Sequence, residues 1–523
     1  MKPSRSIALL LTLMAMGISC VTPDIHGLEG PSGCCARLAE AAPMVSVAVN
    51  DGAEYTMRVA PVKRRIGGQW VKQLGVNGAL PGPALRVKQG ATIRVKLENQ
   101  TDIPLSLHPH GVRVDVANDG VVDAAHPAVA PGETRVYTLK FLDAGVYWYH
   151  SHVMEEYAQD MGYYGNFIVD PAAGGFFNPV DREELLLLDD IPIKDGVPFV
   201  KVQVSHTLMG RFGDVPLING KDDFVLAVKQ GEVLRLFLTN VANARPFAFA
   251  IPGLKLKLVG GDNGLFEHET WVDQLIIAPA ERFIIEVKAD RPGTFTFLNN
   301  NPNGRVVLGK MMVSPAPGGS PAHSIPTVPF DTLRKLSPAG PGFTDVRRHL
   351  LDKVKYELHV ALAVDHSTLP MTAATHHVGR GPVQTKQPPE RAIEWDDTMP
   401  AMNRNSNDRN VTWKLVEVAT ARENMAVKLK FKLGAFTKLR FVNSTDSMHP
   451  MPHPIHFHGQ RFVVAAVNGV GSENLVWKDT VFVAPGETVD IVVEASNPGL
   501  WMAHCHIAEH LAAGMMIEFV VEH

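Results

Sequence analysis

An all-β chain of three consecutive β-sandwich domains is what the sequence predicts, and three observations carry that reading. Apolar and polar residues alternate in short runs bounded by turns. The motif Ala-Pro-x-Glu recurs three times ahead of such a run, a repeat on the scale of a domain. The 44 glycines and 38 prolines supply the turns that many short strands need. At 523 residues, with 45% hydrophobic and 20% charged residues, the chain is long enough for several ordinary cores. A net charge of −4 offers no basic surface for nucleic acid or anionic lipid, which excludes that class of partner.

Taken in order, the first element is a targeting segment. Lys2 and Arg5 precede an apolar run from Ile7 to Met16, too short for a stable transmembrane anchor, so residues 1–20 read as a signal peptide. Cleavage fits after Gly17 or after Ser19. The second cut would leave Cys20 at the new N-terminus, where bacterial lipoproteins carry a lipid anchor, although Gly17 stands where such signals usually have leucine. No Arg-Arg pair precedes the run, so the chain is expected to be exported unfolded, to the periplasm or beyond, and to take up metal there. Residues 21–43 read as a flexible tether that includes Cys34-Cys35. Of four cysteines only Cys505 falls in the folded body, which excludes a disulfide framework.

The first domain is placed at 44–171, where Leu85–Leu97 alternates apolar and polar residues around a turn and Val136–Phe141 and Gly145–Tyr149 continue the pattern. The second, at 172–315, repeats that grammar: Phe224–Leu238 mirrors Leu85–Leu97, and Ala278-Pro-Ala-Glu281 mirrors Ala130-Pro-Gly-Glu133. Seven prolines between Ser314 and Phe343 mark 316–345 as a linker. The third domain, 346–523, carries the third copy, Ala484-Pro-Gly-Glu487, and a polar irregular insertion at 366–410.

Four histidine motifs carry the chemistry. They are His108-Pro-His110-Gly111, Tyr147-Trp-Tyr-His150-Ser-His152, His453-Pro-Ile-His456-Phe-His458-Gly459 and Trp501-Met-Ala-His504-Cys505-His506, the last followed by His510 and Met515. In an extended chain, residues two apart share a face. His504 and His506 therefore point one way and Cys505 the other, so one strand serves two metal sites. His456 and His458 share a face while His453, at an odd offset, points opposite, which joins His453 to Cys505, His510 and Met515. Such a Cys, His and Met set is that of a blue-copper centre. The remaining eight imidazoles exceed one ion and suit three coppers. Zinc does not account for the Cys–His–Met set, and no Asp or Glu is interleaved in the motifs to suit iron or manganese. A single His-x-His is more often a surface or core pair, but ten of the 22 histidines fall in these four motifs and the His510 that follows the last. His206, His268, His359, His376 and His377 match none of them.

With these motifs in this order, the chain from Val45 onward resembles the three-domain multicopper oxidases of the bacterial laccase and metallo-oxidase group. The resemblance implies three consecutive cupredoxin-like Greek-key β-sandwich domains and four copper ions. It implies a type 1 copper on His453, Cys505 and His510 with Met515 as weak axial ligand, and a type 2 copper on His108 and His456. The type 3 pair would take His110, His150 and His506 on one ion, and His152, His458 and His504 on the other. It further implies one-electron oxidation of a small reducing substrate coupled to reduction of O2 to water. Asp119, in Asn118-Asp119-Gly120, matches the family's acidic residue near the trinuclear site and is expected to supply protons. The second domain, lacking a copper motif, would serve to space the other two.

One departure unsettles a second proton route: where many bacterial relatives have an acid immediately after the histidine matching His510, this chain has Leu511, with Glu509 on the other side. Met515 in the axial position suits a low-to-moderate potential, and so electron-rich phenols, aromatic amines, Cu(I) or Fe(II). Met448 and Met451 precede His453, but Met371, Met399 and Met402 form no dense methionine segment. A laccase-like oxidase of phenols and aromatic amines is therefore expected, with a periplasmic metallo-oxidase for copper tolerance as the alternative. A copper-binding protein without turnover would be expected to have lost ligands, and none is lost.

Overall fold

The structure, a computed structural model, describes residues 37–193, 204–316, 330–337, 342–369 and 392–523. The signal segment, Cys20, Cys34, Cys35, Met371, His376 and His377 lie outside the described residues. Among the described residues no helix is long and apolar enough to cross a membrane.

Three pairs of sheets follow one another along the chain. In the first, the strands Ser46–Ala48, Ala84–Lys88, Tyr164–Asp170, Gly145–His150 and His108–His110 form one sheet in that order. Gln69–Val76, Glu54–Ile66, Thr92–Asn99 and Thr134–Lys140 form the facing one. Alternation explains the packing: in Thr92–Asn99 the side chains of Ile93, Val95 and Leu97 are buried while Arg94 is exposed. They meet Met57, Tyr137 and Phe167 in one core. The second pair holds six strands, centred on Val233–Asn240, and five. Every residue of Val233–Asn240 is buried, because both its faces are covered. On one side Phe237 and Ile284 pack against Val146 and Ile168 of the first pair. The third pair holds seven strands and five, the latter in the order Lys428–Lys432, Met516–Glu522, Gly499–Cys505, His453–Phe457, Thr480–Val483. It meets the second pair where Ala248 and Ala278 pack on Trp395, Phe482 and Ala484.

Two stretches outside the predicted domains are tied to the folded body. The tether predicted to run through residue 43 ends sooner, because Glu40 and Ala42 bridge to Lys63 and Ala79 and the Ala41 N–H donates to the Lys63 carbonyl at 2.8 Å. The described part of the proline-rich linker does not hang free: Lys335 bridges to His268, and Arg334 pairs with buried Glu269 at 2.6 Å. In the insertion, Pro400–Asn405 is a short helix, and buried Asn403 ties it to the second domain by accepting from the Met209 N–H and donating to the Gly210 carbonyl.

Candidate metal centre

Strand register puts the ligand candidates on two faces. His453–Phe457 pairs antiparallel with Gly499–Cys505 so that Ile455 is opposite Cys505 and His456 is opposite His504. Cross-strand partners share a face, so His453, Ile455 and Cys505 look into the third domain's core while His456 and His504 look out of it. In the first domain His108 is opposite His150 and His110 is opposite Trp148. The outward faces of the first and third domains meet, and eight imidazoles converge between them.

Facing inward, Cys505 Sγ lies 3.5 Å from His453 Nδ1 and 3.7 Å from His510 Nδ1, and the two nitrogens are 3.3 Å apart. A triangle of that size suits first-row metal bonds of about 2.0–2.3 Å to all three atoms at once. His510 comes from the short helix Ala508–Ala512, and the Cys505 N–H donates to the Met515 carbonyl, which brings the buried Met515 beside the set. The Trp413 ring lies 4.7 Å from His453 and 4.6 Å from His510 and is fixed by its Nε1–H, which donates to the Thr207 carbonyl.

The outward cluster divides into His110, His150 and His506; His152, His458 and His504; and His108 and His456 with His110. His458 Nε2 and His152 Nε2 approach His504 Nε2 to 2.9 and 3.3 Å. The other ring nitrogen of most of these histidines is engaged. His108 Nδ1–H donates to the Asp119 carbonyl at 2.7 Å, His150 Nδ1–H to Ser151, His456 Nδ1–H to Asp479 and His504 Nδ1–H to Cys505. His458 Nδ1–H donates to the Asp119 carboxylate at 2.8 Å. Each proton is thus held outward and a lone pair is left facing in. The nitrogens left buried without a hydrogen-bond partner are His108 Nε2, His110 Nδ1, His150 Nε2, His456 Nε2 and both nitrogens of His506. Burial pushes His110, His150, His152, His504 and His506 well below the usual histidine value, and takes His458 to about 3, so all are neutral donors at ordinary pH. Neutral, converging, unpartnered imidazoles fit copper ions. Of the five histidines named above as matching no motif, His206, His268 and His359 are described and stand outside every cluster.

The two sites are joined through main chain. His504, Cys505 and His506 are consecutive, with Cα atoms about 3.8 Å apart, so a thiolate on one face is a few bonds from imidazoles on the other.

Family models described as multicopper oxidase match residues 58–174, 197–312 and 394–523. The chain belongs to the multicopper oxidases. Its curated relatives include multicopper oxidase MmcO of Mycobacterium tuberculosis, 27% identical, with 88% of this chain and 85% of the relative covered. They also include a copper resistance protein A homolog of Pseudomonas syringae pv. tomato, 25% identical over 90% and 92% of the two chains. A multicopper oxidase from Campylobacter jejuni described as a metallo-oxidase has the same fold, with a TM-score of 0.68, 21% identity and coverage of 93% and 96%. A member of this family is a copper oxidoreductase that uses O2 and binds four coppers, one type 1, one type 2 and two type 3, and its domains are cupredoxin-like.

Three polar residues of this multicopper oxidase site escaped the motifs. Glu155 opens the short helix Glu155–Ala158 and is 3% exposed. Its Oε1 lies 3.6 Å from both His150 Nδ1 and His506 Nε2, and neither carboxylate oxygen has a hydrogen-bond partner. Burial first, then the nearby Glu156 and Glu509 charges, hold its carboxyl well above the usual range. Glu509 turns elsewhere, accepting from Asn243 Nδ2 at 2.8 Å and pairing with Arg211 at 3.3 Å. Leu511 offers no carboxyl, and the one beside His150 and His506 comes from the first domain. Asp479 and Arg282, described below, are the other two. Only Glu155 had a sequence signal, its place three residues after His152.

Burial pushes the Cys505 thiol up, while burial, then the nearby His449 charge, takes His453 down to about 3. Binding a metal here therefore expels the thiol proton and none from His453. Apparent Cu(I) affinity at this one site is expected to weaken about tenfold per unit fall in pH. The histidine-only sites are expected to lack that slope through the neutral range. Competition with a Cu(I) chelator across pH measures both.

Proposed function

We propose that this multicopper oxidase is laccase-like, oxidising electron-rich phenols and aromatic amines one electron at a time. The type 1 copper is assigned to His453, Cys505, His510 and Met515, and the type 2 copper to His108 and His456. The type 3 pair is assigned to His110, His150 and His506, and to His152, His458 and His504. When bound, the coppers carry the electron transfers and the reduction of O2 to water. The chain holds the ring protons of His108, His110, His150, His456, His458 and His504 outward on named acceptors, keeps Cys505 in a buried core and, through Asp119, keeps a carboxylate against His458 for proton supply. We assign the folded chain to the periplasm or the exterior, with the domains at 44–171, 172–315 and 346–523, and leave lipid attachment at Cys20 as a test by mass of the mature protein.

The cover over the type 1 ligands carries the donor assignment. Trp413 lies against both imidazoles, Leu208, Met209 and Met451 share their core, and among the described residues no carboxylate acts on either ring. An apolar aromatic cover favours a neutral aromatic donor over Fe(II), which prefers oxygen ligands. One observation favours Cu(I) as a second reading: Met448, 37% exposed, and Met451 flank His449 beside the site. Steady-state kinetics with a phenolic dye, Cu(I) and Fe(II), with and without added copper, test the proposal. A higher kcat/KM for the dye is expected; faster Cu(I) oxidation, or dye turnover only with added copper, would overturn it in favour of the metallo-oxidase. Met448→Leu separates the two, since it should lower Cu(I) oxidation alone.

A further inference from the structure

The second domain has no copper motif, yet one of its side chains reaches the trinuclear cluster. Arg282, at the start of the strand Arg282–Lys288, is fully buried, and its guanidinium touches all three domains. Nε–H donates to the Val146 carbonyl of the first domain at 3.0 Å. Nη1–H donates to the Ala280 carbonyl at 3.0 Å and to Asp479 Oδ1 at 2.6 Å, and Nη2–H donates to Asp479 Oδ2 at 2.5 Å and to Asn263 Oδ1 at 3.3 Å. All five N–H groups are spent, in the fork-to-fork geometry that fixes a carboxylate in orientation as well as position.

Asp479 is the acceptor for His110, whose Nε2 lies 3.1 Å from Asp479 Oδ1 and 3.2 Å from Thr480 Oγ1. His110 is turned the opposite way from its neighbours. His108, His150, His456 and His504 each donate Nδ1–H to a main-chain carbonyl and turn Nε2 inward. His110 spends Nε2 outward and leaves Nδ1 buried and unpartnered on the cluster side. A main-chain carbonyl is held by its strand. A side-chain carboxylate must be held by something else.

From this we infer that Arg282 is a positioning residue of the trinuclear site, clamping Asp479 so that His110 keeps its proton on Nε2 and offers Nδ1 to copper. The inference rests on the assignment of His110 as a ligand. Gly111 gives it independent support. Its φ is +82°, and a Cβ there would fall 2.2 Å from Asp479 Oδ2 and 2.8 Å from Arg282 Nη2. The glycine after His110 leaves room for the clamp to close on the strand that bears the ligand.

The test compares Arg282→Met, Arg282→Lys and His110→Ala in the full chain, normalising each to the blue absorption of the type 1 site, which lies in the third domain's core. Copper per blue chromophore, the type 2 EPR signal and the near-ultraviolet band of the type 3 pair are measured. Arg282→Met is expected to weaken cluster copper roughly 10–100-fold in chelator competition, to diminish the near-ultraviolet band and to leave the blue band, with partial recovery in Arg282→Lys. A folded Arg282→Met with unchanged copper and unchanged type 2 and type 3 spectra overturns the inference. If His110→Ala also keeps full copper, the ligand assignment itself fails. Should Arg282→Met not accumulate, Arg282→Met/Asp479→Asn removes both charges at once, while Asp262 keeps its partner Lys478 at 3.1 Å. Low cluster affinity in that folded pair supports positioning, and full copper shows that the clamp serves stability alone.

Discussion

Cys505→Ser is expected to abolish the blue absorption and to bring oxidation of every donor to background. Cys505 is fully buried, is the only cysteine among the described residues, and has its Sγ within reach of His453 and His510. A hydroxyl in its place is a poor copper ligand and removes the soft charge on which fast one-electron exchange depends. The cluster on the other face should survive. His504 and His506 keep their places because the His456–His504 pairing and the hydrogen bond from the His506 N–H to the Pro454 carbonyl are main-chain features. The variant should therefore bind three coppers of the family's four. Once those are reduced chemically, O2 should still be consumed, although their three electrons are one short of the four that water formation needs. Loss of the type 2 EPR signal together with the blue band would show that the strand needs the thiolate–copper bond to hold its outer face.

Asp119→Ala is expected to leave the blue band intact and to slow O2 reduction by about 10²–10⁴-fold, the usual worth of a positioned proton donor or acceptor. Asp119 is 3% exposed, with one carboxylate oxygen accepting from His458 Nδ1 and the other buried and unpartnered 3.4 Å from His108 Nδ1. Burial alone would raise its carboxyl, but the His458 and His108 rings outweigh it and hold the carboxyl below the usual carboxylate range. An anion at this place also orients His458, so the alanine removes two things together. Asp119→Asn separates them, because its amide oxygen still accepts from His458 while no charge remains. Asn as slow as Ala identifies proton supply; recovery in Asn identifies orientation; unchanged turnover in both sinks the assignment. Rapid reoxidation of the reduced protein by O2 is the measurement.

The parity of the motifs was legible because strand geometry is periodic. His504 and His506 two apart, Cys505 between them and His453 at an odd offset determine faces before any fold is known, and the register of His453–Phe457 against Gly499–Cys505 places those residues on those faces. What pairs across long range was not legible. Arg282 and Asp479 are 197 residues apart and belong to different domains, and nothing in either local sequence marks a charge that will be buried. Glu155 follows a turn in which Met154 takes φ 48°, so its direction depends on a backbone conformation that alternation does not describe. The contacts of the tether and the linker were not legible for a similar reason. Composition reports a lack of regular pattern, whereas Glu40, Ala42 and Arg334 are fixed by partners elsewhere.

The cluster at the seam between the first and third domains has a consequence for biogenesis. His110 and Asp479 are 369 positions apart, and under the proposed assignment no cluster copper would have all its ligands until strands from both ends of the chain have met. A chain emerging in order from its N-terminus would display His108, His110, His150 and His152 long before their counterparts arrive, as a half-site with weak and unselective grip. Closing so distant a contact is slow, so tight retention of metal comes last and reports that all three domains have docked. Copper occupancy is then a record of completed assembly.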